Sequence, residues 1–187
     1  MDSFKIHLQW RAATVEENGP GYIYPAKFSR FFRDRYSCPA VYRWRVHPGE
    51  DGKPEPVYIG EAEVLVRRVQ KVLTPPRTAK GGETNKRLRE IFDRERAAGK
   101  SIFLDVADFE PFEINAVLFS REELGDRFKR RLLEDLSLCF AQALGHPLLN
   151  KVVDPVDKVV AKLKKLPPHL LRQVLQEAEE RRKKLSK

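Results

Sequence analysis

The cleanest two-residue alternation of apolar and polar positions falls over Ala40–Val46 (AVYRWRV). Its aromatic and β-branched residues predict a strand. HPGEDGKPEP follows, dense in Pro, Gly and Asp, and predicts a turn; PVYIG over Pro56–Gly60 then reads as the second strand of a long-looped hairpin. The period changes next. Ala62, Leu65, Val69, Val72 and Leu73 share one helical stripe over Glu61–Leu73, closed by Pro75-Pro76. A Gly-Gly pair and Thr84 open another helix, about 84–98, stopped by Gly99. SIFLDVADF over Ser101–Phe109 predicts a strand, and Asn115–Phe119 a further short one. The longest helix is expected over 122–144 with Gly145 just past its end, followed by two more over 156–166 and 168–185. Ahead of the hairpin, Phe4, Ile6, Leu8 and Trp10 alternate, a Gly-Pro-Gly turn follows, and Ala26–Arg35 predicts a short helix.

This order predicts an α+β fold, a small sheet built on an N-terminal β-hairpin and flanked by helices, with further C-terminal helices. Residues 1–37 read as an N-terminal extension, 38–151 as the central domain and 152–187 as a basic helical extension. The 187 residues suit one domain of this kind, and 41% apolar residues suffice for a core. No window approaches the ~20 apolar residues of a membrane span, and the start lacks the basic and apolar regions of a secretory signal. Cys38 and Cys139 have no metal-binding or disulfide spacing, so a reducing, cytoplasmic (nucleoid-associated) setting is expected. Cys139, in LSLCF, is expected as a small buried hydrophobe. The net charge of +9 is unevenly spread: +6 in residues 62–100, −4 in 101–150 and +6 in 151–187. Two basic blocks suit a polyanionic partner, although a solvated surface accounts for them equally well.

Three side chains gather on this framework. Tyr42 and Tyr58 sit on the paired strands, and Arg68 follows Gly60 by eight residues on the border of the helical stripe, with Arg67 pointing away from it. One face of the hairpin can then present both hydroxyls beside the Arg68 guanidinium. PAVYRWRV and PVYIGEAEVLVRRVQ resemble the opening of the GIY-YIG nucleases, with Val41-Tyr42 as the first motif and Tyr58-Ile59-Gly60 as the second. Arg68 matches the catalytic arginine of that family in spacing, Glu134 in LLEDLSL resembles its metal-binding glutamate, and Pro147–Asn150 resembles its terminal P-x-x-N. The likeness covers roughly residues 39–151. Ala40 stands where the first motif usually has glycine, the hairpin loop is long, Val72 replaces a His or Tyr, and Asp135 competes with Glu134 as the ligand. Gly21-Tyr22-Ile23-Tyr24 imitates the motif but lies too far from Tyr58 for a simple hairpin.

The resemblance implies a DNA endonuclease dependent on Mg²⁺ (or Mn²⁺), with Tyr42 as general base, Tyr58 positioning water or phosphate, and Asn150 holding the geometry. The chemistry is sound for these residue types. Arginine pairs with two phosphate oxygens and keeps its proton, and one carboxylate with several waters is an ordinary Mg²⁺ environment. Taken singly, each residue has a plainer role: packing tyrosines, a surface ion pair, a solvated helix glutamate, a turn asparagine. Lys71, Arg77, Lys80, Lys86, Arg87 and Arg89 form the expected phosphate track toward Arg68, or else an ordinary charged helix surface. The rival function is a catalytically silent DNA- or RNA-binding protein that retains the fold. The stripe Leu171, Val174, Leu175 and Ala178 is expected to dock on the domain or on a second copy in a homodimer.

Overall fold

The computed structural model describes residues 8–49, 53–74, 82–114 and 117–150. Its main sheet has four antiparallel strands in the order β1-β4-β2-β3, with β1 over Leu8–Ala12, β2 over Ala40–His47, β3 over Val57–Ala62 and β4 over Ser101–Phe109. Strand alternation divides the core in two, because successive side chains leave opposite faces. Tyr42, Trp44, Val46, Tyr58, Ile102 and Leu104 point to one face. There they pack against α2 (Leu65–Leu73), α3 (Glu83–Ala97) and the aromatic cluster Tyr22, Tyr24 and Phe32. Val41, Val57, Ile59, Ala107 and Phe109 point to the other, under α4 (Arg127–Ala143). The molecule is therefore an α+β sheet flanked by helices. No helix of the described residues is long and apolar enough to cross a membrane.

Several boundaries differ from the sequence expectation for identifiable reasons. Glu61 and Ala62 extend β3 instead of starting a helix, because they continue the pairing with Val41 and Ala40. The long helix breaks in two: a single 3₁₀ turn over Glu122–Gly125, then α4, whose first turn is capped by the Asp126 carboxylate accepting from the Phe128 (2.6 Å) and Lys129 (3.2 Å) amides. Gly145 closes α4 with φ +78°, as its C′ position demands. The expected strand over 115–119 is half of a short hairpin, β5 (Phe112–Ile114) with β6 (Val117–Phe119). The helix expected from Ala26 shrinks to α1, Arg30–Arg35, capped by Ser29. Cys139 is half-buried rather than enclosed.

The N-terminal segment joins the main sheet. Its β1 is a full edge strand on β4, registered Leu8 to Phe109, and the chain returns to the same edge through Tyr24, whose amide donates to the Ile102 carbonyl (2.9 Å). Residues 8–37 therefore share the domain's sheet and core. The helices expected over 156–166 and 168–185, with the docking stripe, lie outside the described residues.

Candidate active site

Tyr42 and Gly60 face one another across the β2–β3 ladder. A methyl on Gly60 would stand 2.7 Å from the Tyr42 hydroxyl and 3.1 Å from Cε1 of Tyr58. Glycine here is thus a clearance requirement, letting the Tyr42 phenol lie against the neighbouring strand. Tyr42 is wholly buried and Tyr58 nearly so, their ring centroids 6.3 Å apart.

Arg68, half-buried on α2, closes over both rings. Its Nε donates to the Tyr42 hydroxyl (2.9 Å) and its Nη2 to the Tyr58 hydroxyl (3.3 Å). Its Nη1 donates to Oδ1 of Asn85, on the first turn of α3. A guanidinium carries five N–H donors, so two remain uncommitted among the described residues. Burial opposes the charge on Arg68, yet the neighbouring phenols of Tyr42 and Tyr58 outweigh it and hold the proton more firmly than usual. Burial likewise pushes the Tyr42 phenol far above the ordinary tyrosine range; Tyr58 pushes the same way, Arg68 pulls back by charge and hydrogen bond, and the Glu134 carboxylate adds a smaller upward push.

Glu134 comes from α4, which packs on the opposite face of the sheet, and its charge nevertheless reaches Tyr42. Asp135, the neighbouring carboxylate, is buried. Among the described residues no group of three or more His, Cys, Asp or Glu side chains could hold a metal ion.

Asn150 acts on the outer edge of β3. Pro147 and Leu149 run parallel to Val57, exchanging backbone bonds of 2.9 and 2.8 Å. The Asn150 side chain then continues the ladder: Oδ1 accepts from the Ile59 amide (3.0 Å) and Nδ2 donates to the Ile59 carbonyl (2.7 Å). The terminal P-x-x-N is thus a pseudo-strand that fixes β3 on both sides of Tyr58.

The expected phosphate track is only partly assembled. Lys71 is exposed beside Arg68, and Lys86 is exposed 3.9 Å from Glu90. Arg87 belongs elsewhere: its Nη2 donates to the Leu149 carbonyl (2.9 Å) and its Nε is enclosed, so it braces the pseudo-strand instead of facing a ligand. Arg77 and Lys80 lie outside the described residues. The structure adds Asn85, which no local pattern singles out, and a cleft of about 390 Å³ lined by Arg68 together with Arg127 and Arg130 of α4. Glu134 is not part of that lining. Val72, four residues after Arg68, is fully buried in the core, so Asn85 is the side chain that meets the guanidinium. The Tyr22 hydroxyl donates to the Ala26 carbonyl (2.7 Å) and the Tyr24 hydroxyl to Asp93 (3.2 Å), so the imitation motif serves packing.

Comparison of the chain with protein-family models, with curated proteins and with solved structures finds no match in any of the three.

Proposed function

We propose that the chain is a Mg²⁺-dependent (or Mn²⁺-dependent) DNA endonuclease of the GIY-YIG type. The observation that carries this reading is the seating of Arg68. Three of its donors are fixed on Tyr42, Tyr58 and Asn85, which leaves two to receive the oxygens of one phosphodiester. A guanidinium so anchored needs little reorganisation as charge builds on the phosphorus, and this is the main source of electrostatic catalysis. Tyr42 is the base in this reading: burial holds its phenol protonated, and Arg68, from which its oxygen already accepts, works against that burial in favour of the phenolate. Tyr58 orients the phosphate, and Asn150 keeps the two tyrosines in register through β3.

A hard ion of this kind takes one or two protein oxygens and keeps its waters, so a single carboxylate is enough to hold it. Glu134 would hold it, since Asp135 is buried and Glu134 is partly open to solvent. When bound, the ion would supply positive charge to the phosphate and to the departing oxygen.

The complete burial of Tyr42 favours a second reading, a nucleic-acid-binding protein without catalysis, since a base must reach the attacking water. Supercoiled plasmid decides between them. Nicking in Mg²⁺, absent in EDTA and lost in Arg68→Ala and Glu134→Ala while DNA binding persists, supports the enzyme. Binding without nicking in every divalent metal supports the silent binder.

A further inference from the structure

The cleft beside Arg68 carries more cationic side chains than the hydrolytic reading requires. Arg67 and Lys71 stand one turn apart on α2, both exposed, and Arg127 faces the same cleft from the first turn of α4, also exposed. None of the three has an ion-pair partner among the described residues. Arg130 forms the floor, with three of its donors turned into the fold: Nη1 donates to the Leu124 (2.7 Å) and Gly125 (2.8 Å) carbonyls, and Nε pairs with Glu61 at 2.9 Å. Arg131 stands 3.8 Å from the same carboxylate. The Glu61 charge is thereby neutralised from within the fold and does not repel an anion at the rim. Glu63 is the remaining acid of the lining, and it is exposed.

We infer that the cleft between α2 and the start of α4 grips the DNA backbone next to the linkage held by Arg68, with Arg67, Lys71 and Arg127 as phosphate contacts and Glu63 opposing them. This rests on the nuclease reading and redirects the track, which keeps Lys71 of the expected basic block and runs from Arg68 toward α4 through Arg67 and Arg127, outside that block. Lysine and arginine contacts to phosphate carry no sequence information but release condensed cations, so each contact is visible as salt dependence.

The test is fluorescence anisotropy of a labelled 20-mer DNA duplex with the full chain in EDTA, across a range of salt. Arg67→Ala, Lys71→Ala and Arg127→Ala should each lower the slope of log K against log salt by about 0.9, and so weaken binding roughly eightfold at 0.1 M salt relative to 1 M. The triple variant should lose about 2.7 from the slope. Glu63→Gln should tighten binding, and Arg30→Ala, at a 95%-exposed side chain on α1, should leave it unchanged. Plasmid nicking by a triple variant that keeps the wild-type slope would overturn this inference and leave the nuclease reading standing. Wild-type protein that binds no DNA at 50 mM salt would overturn both. Tighter binding to RNA of the same length, with the slope carried by the same three residues, would overturn the assignment to DNA.

Discussion

Replacing Asn150 by alanine removes both hydrogen bonds that hold Ile59 on the outer edge of β3, and among the described residues nothing else on that edge reaches the same two backbone groups. Ile59 is 1% exposed, so its amide and carbonyl are poorly placed to recover their bonds from water. Orphaning a buried polar group costs about 1–3 kcal/mol. Half-exposure of Asn150 lets some water in, so about 2–3 kcal/mol for the pair is expected. A chain of this size loses about 2–4 °C per kcal/mol, which gives a fall in Tm of about 4–12 °C by circular dichroism. Asn150→Asp sharpens the test. At pH 7.5 it keeps the acceptor facing the Ile59 amide but sets a carboxylate oxygen against the Ile59 carbonyl, and should be no more stable than alanine. Only the protonated carboxyl can donate there, so its folded-state pKa must lie above the ordinary value of ~3.9. Its advantage over alanine is then fully present below the unfolded-state pKa and disappears as pH rises through the folded-state one. Both variants compared at pH 4 and pH 7.5 cancel the acid sensitivity of the rest of the chain. Asn150→Asp matching wild type at pH 7.5, or Asn150→Ala within about 0.5 kcal/mol of it, would refute the pseudo-strand.

Arg68→Lys should lower nicking about as far as alanine, by roughly 10²–10³-fold, since one ammonium cannot serve Tyr42, Tyr58, Asn85 and a phosphate together. Asn85→Ala should reduce kcat about tenfold at an unchanged salt slope of DNA binding, the pattern of a positioning residue, measured by single-turnover cleavage. Gly60→Ala forces the Tyr42 hydroxyl off a position 2.7 Å from the new methyl and should cost about 1–3 kcal/mol in urea unfolding. Burial, then the charge and hydrogen bond of Asp93, push the Tyr24 phenol up to about 12. A raised phenol favours the folded state fully below its unfolded value near 10 and loses that contribution as pH rises toward 12, so urea midpoints should decline above pH 10 and decline less in Tyr24→Phe.

The sequence made legible those parts whose cause is local. Period-two and period-three-or-four patterns locate β2, β3, β4 and the three longer helices to within a few residues, because each buries one face. The meeting of Tyr42, Tyr58 and Arg68 follows from a hairpin register and eight residues of helix phase. What escaped depends on partners distant in the chain. Leu8–Ala12 alternates in the sequence, but its place on the sheet comes from pairing with Asp105–Phe109, a partner no local pattern names. Asn85 is an ordinary first-turn residue until α3 packs beside α2, and Arg87 resembles any surface arginine until Leu149 arrives. The break before α4 was within reach: Asp126 has the chemistry of a helix cap, but continuous apolar spacing on both sides concealed it.

The most direct measurement of the central claim is a crystal structure of the full chain with a DNA duplex and Ca²⁺, an ion that binds without supporting rapid cleavage. The expected density places one backbone phosphate within hydrogen-bonding distance of the two open Arg68 donors, with the cation on Glu134 and the guanidinium still seated on Tyr42, Tyr58 and Asn85. Duplex bound on another face of the sheet, with Arg68 turned from the nucleic acid and no ion at Glu134, would contradict the account.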